Sequence, residues 1–169
     1  MLKETLTRLW VVTKKVSRLK LDATEVLQMD HMALEVLFAQ LKVARGLKLR
    51  EKLFRRISDK WNSHDRLEQT VFYPACDKIE SLKSTVLEFT ADHRHIKSLI
   101  KELTHADLSS EQSVSKLDRL MREMTRHVRV EENEFFPKVR HLMSKNRLEK
   151  LGERLGAQLQ GKKQPSKAA

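Results

Sequence analysis

The sequence predicts an all-α protein, an up-down antiparallel four-helix bundle with an extra amphipathic helix before it and a short helix after it. Three observations predict this. Only 4 Gly and 3 Pro occur in 169 residues, too few for the turns of a sandwich or a barrel. Apolar residues recur every three or four positions almost throughout, which is the spacing of one buried helix face. No segment alternates apolar and polar residues strictly enough for a half-buried strand.

The elements follow in order. Leu2, Leu6, Leu9, Trp10 and Val16 make an amphipathic opening segment within residues 1–23. A helix from about Thr24 to the stop signal Gly46 buries Leu27, His31, Leu34, Phe38 and Leu41. The next spans about 50–79, with Leu53, Ile57, Trp61, His64, Glu68 and Val71 on one side. Another spans about 82–104 through Val86, Phe89, His93, Ile96, Ile100 and Leu103. The connector HADLSSEQS is a loop, and Ser109 or Ser110 caps the following helix. That helix runs from about 111 to 144 through Leu117, Leu120, Met124, His127, Glu131 and Phe135. Helical spacing resumes at 146–160 and ends at Gly161. Pro74 and Pro137 should kink or end their helices. Short connections make sequential helices antiparallel neighbours, so the bundle domain is assigned to 24–144 and the C-terminal helix with a basic tail to 145–169.

Charge and composition narrow the function. The formal net charge is +11, with 34 basic and 23 acidic residues. It is concentrated at the two ends: residues 1–29 carry +3, residues 143–169 carry +5 and the long middle only +3. Such ends can attract anionic partners, but no aromatic residues interleave with them as in a nucleic-acid-binding surface, so solvated ends are expected and no nucleic acid. One cysteine, Cys76, excludes an internal disulfide framework and a cysteine-built metal site. It is expected to be structural or inert. No run of apolar residues is long enough to span a membrane, and no secretory signal is legible; a cytoplasmic location is expected. No Ser/His/Asp triad, phosphate-binding glycine loop or nucleotide fingerprint occurs.

The chemistry resides in the apolar stripes. Four of the seven histidines, His31, His64, His93 and His127, fall near the middle of four different helices. His64 and His127 are each followed four residues on by a glutamate, Glu68 and Glu131. Residues four apart share a helix face. Two such pairs on facing helices converge on one point, as in bundle proteins that hold two metal ions. A carboxylate can bridge two cations, while an imidazole nitrogen ligates one. The sequence also repeats: HDRLEQTVFYP (64–74) aligns without gaps on HVRVEENEFFP (127–137), and Asp30-His31 aligns with Asp92-His93. Each copy supplies one His, then His and Glu. His31 also precedes a glutamate, Glu35, for which a salt bridge to a neighbouring Lys or Arg is expected. His95, His105 and His141 read as surface residues. The pairs Phe72–Tyr73 and Phe135–Phe136 read as core plugs at one end of the bundle.

The order DH…HxxxE…DH…HxxxE, closed by FYP and FFP, resembles the hemerythrin-like HHE cation-binding domain over about residues 30–142. The resemblance implies an up-down four-helix bundle holding two non-haem iron ions with carboxylate and oxo or hydroxo bridges. By position, His31, His64, His93 and His127 would be terminal ligands, and Glu68 and Glu131 would bridge. It implies a protein that binds or senses dioxygen, or a related molecule such as nitric oxide or peroxide. An oxidase- or peroxidase-like enzyme is the alternative, and an iron-stabilised interaction or iron-sensing module a third, with a protein partner recognised through the basic N-terminal helix.

One departure matters. Oxygen-carrying hemerythrins have His-x-x-x-His on the third bundle helix and His-x-x-x-x-Asp on the fourth. Here Lys97 stands four residues after His93. His95 lies about 200° round the helix and cannot replace the missing ligand. Glu131 stands at +4 from His127, although Glu132 occupies +5. A protonated Lys97 has no lone pair for a metal. It is expected to snorkel away or pair with a carboxylate, leaving an open position and disfavouring reversible oxygen carriage.

Overall fold

A computed structural model describes residues 20–161. The opening segment up to residue 19 and the tail from 162, both singled out in the sequence, lie outside the described residues. Among the described residues the chain is helical: α1 (Ala23–Val43), α2 (Leu47–Leu67), α3 (Tyr73–Cys76), α4 (Lys83–Thr104), α5 (Glu111–Val130), α6 (Phe136–Leu142) and α7 (Lys145–Gly161). The all-α bundle expected from the sequence is the fold observed.

Local chemistry sets the helix ends. Asp22 caps α1: its Oδ1 accepts from the N–H of Thr24 and Glu25, while Glu25 Oε2 accepts from the Asp22 N–H. This reciprocal pair satisfies free donors of the first turn. Gly46 joins α1 to α2 at φ 86°, in the left-handed region that other residues avoid. Ser110 caps α5 by accepting from the Ser113 N–H.

The prolines neither end nor simply kink their helices. Each is preceded by a five-residue π turn, Glu68–Phe72 before Pro74 and Glu131–Phe135 before Pro137. In both, the N–H five residues on, from Tyr73 or Phe136, donates to the carbonyl of Glu68 or Glu131. The extra residue relieves the clash between a proline ring and the preceding turn, so the helix continues. It also changes the helical phase beside the site, turning Phe72 and Tyr73 into the interior next to Glu68.

The two long hairpins, α1 with α2 and α4 with α5, pack antiparallel, and α7 lies against the first half of α1. Gly152 of α7 allows this approach: a Cβ there would overlap the backbone of Leu21 and sit 2.9 Å from the Asp22 carbonyl carbon. The apolar core is divided. One cluster, with Phe72, Phe135, Phe136 and Leu155, fills the end under α7. The other, with Phe38, Phe54, Trp61, Leu120 and Met124, fills the opposite end. Between them lies a layer of buried polar side chains.

Candidate metal centre

That layer contains all six residues singled out by the sequence. His31 comes from α1, His64 from α2, His93 from α4 and His127 from α5, while Glu68 and Glu131 open the two π turns. All six are buried. Because each glutamate is four residues beyond a histidine, both project toward the same centre. His64 Nε2 and His93 Nε2 each lie 3.2 Å from Glu68 Oε2. His31 Nε2 lies 3.4 Å from Glu131 Oε2 and 3.9 Å from Glu68 Oε1. His127 Nε2 is 3.8 Å from Glu131 Oε2 and 2.9 Å from His93 Nε2.

The histidines are oriented by carboxylates, and the pattern closes on itself. His31 Nδ1 bonds to Glu132 Oε1 at 2.7 Å, and His93 Nδ1 to Asp65 Oδ1 at 2.9 Å. His64 Nδ1 faces Asp30 Oδ2 at 3.3 Å, and His127 Nδ1 faces Asp92 Oδ2 at 3.6 Å. Thus α1 supplies the carboxylate for the histidine of α2, α2 for that of α4, and α4 for that of α5. The turn after α5 returns one to α1. Three of the carboxylates are in turn held by cations: Asp30 by Lys60, Asp65 by Lys97 at 3.1 Å and Asp92 by Arg126 at 3.0 Å. An imidazole whose Nδ1 faces a carboxylate presents a fixed Nε2 to a metal and is a better ligand.

Aromatic rings close the layer above and below. Trp61 packs on the rings of His64 and His93, with centroids 5.2 and 5.0 Å apart. On the other side Phe136 stacks on His31, and Phe89 meets His127 edge-on. The Tyr73 hydroxyl enters the site itself. It donates to Glu68 Oε2 at 2.8 Å, lies 3.2 Å from Glu131 Oε1 and 3.3 Å from His93 Nε2. Tyr73 is therefore more than the core plug its sequence suggested.

The electrostatics are those of a crowded polar layer. Burial pushes the Glu131 carboxyl well up, and the negative charge of Glu68 pushes it further. Burial also opposes ionisation of Glu68, but the facing His64 and His93 outweigh it and hold that carboxyl well down. His64 is opposed by burial yet raised to about 9 by Glu68 and Asp30. His127 is lowered to about 4, chiefly by burial. Close carboxylates separate in this way, one held down and the other pushed up.

The donor set fits cations. His31 Nε2, His64 Nε2, Glu68 Oε1 and Glu131 Oε2 are buried, point inward and have no hydrogen-bond partner. Buried polar atoms without partners are rare and costly. Two groups of ligand atoms could each hold an ion: His64, Glu68, His93 and His127 form one, and His31, His64, Glu68 and Glu131 the other. Within each group all ligand atoms lie within 4.8 Å of one another.

The remaining sequence candidates lie elsewhere. Glu35 is exposed on α1, and the salt bridge expected for it is not formed among the described residues. His95, His105 and His141 are exposed, as expected. Lys97 is half exposed and turns away from the centre to Asp65, the carboxylate pairing foreseen for it. Glu132, noted only for its +5 position, holds His31 from outside the inward-facing set. Cys76 is buried, and burial, with Glu131 and Glu68 nearby, pushes its thiol up. Asp30, Asp65, Asp92, Glu132 and Tyr73 were not singled out for the site. For the three aspartates a signal was present in the dipeptides Asp30-His31, His64-Asp65 and Asp92-His93, though not which histidine each would face.

Comparison with known proteins agrees with this geometry. Residues 22–139 match the family described as Hemerythrin HHE cation binding domain. A solved structure of a hemerythrin HHE cation-binding domain-containing protein, an Rv2633c homologue from Mycobacterium kansasii, superposes with a TM-score of 0.73 at 22% identity. That match covers 83% of this chain and 86% of the other, and shows the shared fold. A curated relative named "DNA nickase", from Nostoc sp. (strain PCC 7120 / SAG 25.82 / UTEX 2576), is 23% identical over 161 residues. The match takes in 89% of this chain but only 46% of that relative, so the chain spans under half its length. No described helix is long and apolar enough to cross a membrane. With most of its length matched and the histidines and glutamates of the motif gathered in one buried layer, the chain belongs to the hemerythrin HHE cation-binding family.

Proposed function

We propose that the chain is a non-haem di-iron protein that binds or senses dioxygen or a related small molecule such as nitric oxide or peroxide. The observation that carries this reading is the set of four unpartnered inward atoms, His31 Nε2, His64 Nε2, Glu68 Oε1 and Glu131 Oε2. His31, His64, His93 and His127 would be terminal ligands, and Glu68 and Glu131, the two carboxylates at the middle, would bridge. Two irons bound there would supply a redox-active cation pair. The chain's own residues supply the rest. The outer carboxylates hold each imidazole in one orientation, Trp61 and Phe136 exclude water, and Tyr73 holds a proton on its hydroxyl beside both glutamates.

The decisive experiment is metal analysis of protein purified from iron-supplied cells, with optical spectra before and after admitting air. Two irons per chain and a new charge-transfer band in air support the reading. Colourless protein that carries zinc alone would refute it, since imidazole and carboxylate ligands also suit zinc. Tyr73 favours a second reading, a peroxidase- or oxidase-like enzyme. A buried hydroxyl held beside both glutamates can hold or transfer a proton at that point. Repeated turnover with peroxide, lost in Tyr73→Phe while iron is retained, would select the enzyme; a single stable adduct per site selects the binder.

A further inference from the structure

Helices α1 and α5 lie side by side without a connecting turn, and a groove of about 910 Å³ runs between them. Its floor is apolar: Phe38 of α1 and Met121 of α5 are buried beneath it, and Val130 is partly buried toward one end. Its rim is cationic. Arg122, Arg126 and Arg129 stand at steps of four and three along one side of α5, and Lys42 of α1 also lines the groove; all four are exposed. Arg126 is held by Asp92 and Glu123. Lys42, Arg122 and Arg129 form no ion pair among the described residues. Asp118 and Glu134 are the first and last lining residues along this side, so four cations against two carboxylates leave the groove with a net charge of +2.

We propose that this groove receives an acidic amphipathic helix of a partner protein. From Asp118 to Glu134 the lining runs roughly 24 Å at about 1.5 Å per residue, the length of a helix of four to five turns. An amphipathic helix lays apolar side chains, three and four residues apart, into such a groove, here over Phe38, Met121 and Val130. Carboxylates beside that apolar face then meet Arg122 and Arg129, whose planar guanidinium forks can each give a carboxylate two parallel hydrogen bonds. Lys42 takes a third from the opposite wall. The charge pattern selects against other occupants. A nucleic-acid strand is negative along its whole length and would carry phosphates past Asp118 and Glu134. The two ends of this chain are themselves basic, and a second copy brings a charge of +11, the same sign as the groove.

The test uses the full chain and a labelled synthetic helix of about 16 residues, with Leu along one face and Glu beside it, followed by fluorescence anisotropy at physiological salt. The expected result is saturable binding that shifts the methyl NMR signal of Met121, in the floor, and not that of Met143, buried in the other half of the core. Arg122→Glu/Arg129→Glu should weaken binding about tenfold or more, because like charges facing each other across an interface oppose docking. Lys42→Glu, on the other wall, should weaken it too and carries the test if the α5 double variant does not fold. Lys150→Glu/Arg154→Glu, the same charge change at exposed positions of α7, should leave binding unchanged. Equal weakening by the α7 pair would overturn the proposal, since net charge alone would then explain the binding. So would an absence of saturable binding, or undiminished binding of a peptide with Gln in place of Glu. Tighter binding of a single-stranded oligonucleotide, lost in Arg122→Glu/Arg129→Glu, would overturn it in favour of nucleic acid.

Discussion

Removing the metal should cost this protein a large part of its stability. Four inward atoms, His31 Nε2, His64 Nε2, Glu68 Oε1 and Glu131 Oε2, have no hydrogen-bond partner among the described residues. A buried polar group left unmade costs about 1–3 kcal/mol, so the four together cost about 4–12 kcal/mol. A whole domain is typically stable by only about 5–15 kcal/mol. At about 2–4 °C per kcal/mol for a chain of this size, even the lower figure is a shift of about 8–16 °C in Tm. The assay is thermal unfolding by circular dichroism of iron-loaded protein and of the same protein after chelation and dialysis. A control separates metal loss from general damage. In Glu131→Leu a buried carboxyl becomes an apolar side chain of similar size, which removes the cost of burying that group without a full set of partners, about 1–3 kcal/mol. Metal-free Glu131→Leu should therefore melt above the metal-free native chain, yet gain little from iron. If chelation leaves Tm within about 3 °C, a shift worth only about 1 kcal/mol, the unpartnered atoms are not being held by metal and the reasoning is wrong.

Three further outcomes are expected. Glu131→Ala should lose bound iron while Glu35→Ala keeps it, and His127→Ala should lose iron while His105→Ala does not; metal analysis that finds each pair equal removes the assigned ligands. Asp65→Asn should weaken metal retention about 10–100-fold in a chelator competition, the usual effect of an outer carboxylate, and Lys97→Ala should do so less, because it removes only the cation behind Asp65. The Cys76 thiol, pushed up by burial first and then by Glu131 and Glu68, should resist iodoacetamide at pH 8 until urea unfolds the chain. Above about pH 8.5, the ordinary thiol value, the unfolded chain loses this proton and the folded chain keeps it, so this group's contribution to stability falls as pH rises; rapid alkylation of folded protein at pH 8 would contradict it.

The fold and the centre of the site were legible because both are matters of spacing. Helical periodicity placed His31, His64, His93 and His127 mid-helix, and a four-residue step put Glu68 and Glu131 on the same faces. The carboxylates behind the histidines were not legible, because each acts across to another helix. Asp30 precedes His31 in the chain but faces His64. The internal repeat hid part of this as well. It pairs Asp65 with Val128, so the second copy has no aspartate to hold His31, and Glu132, aligned with Gln69, does so instead. Lys97, which ties Asp65, aligns with Glu35, which has no such aspartate to tie. The π turns escaped notice because proline signals a break without saying how the chain absorbs it. Here one added residue per turn absorbs it and brings the Tyr73 hydroxyl to Glu68.

The division of the core has a kinetic consequence. The apolar half around Phe72, Phe135 and Leu155 and the half around Phe54, Leu120 and Met124 meet only across the histidine and glutamate layer. With cations in that layer, one bolt fastens four helices at mid-height, and amide protons in both halves should exchange with water through the same global opening. Without cations the layer is a plane of buried polar groups with unmet hydrogen bonds, and the halves become separate cooperative units. The half with α7 as a fifth wall should then exchange more slowly than the four-walled half at the α1–α2 turn. The metal content of this protein would be readable from the number of distinct exchange classes as well as from its colour.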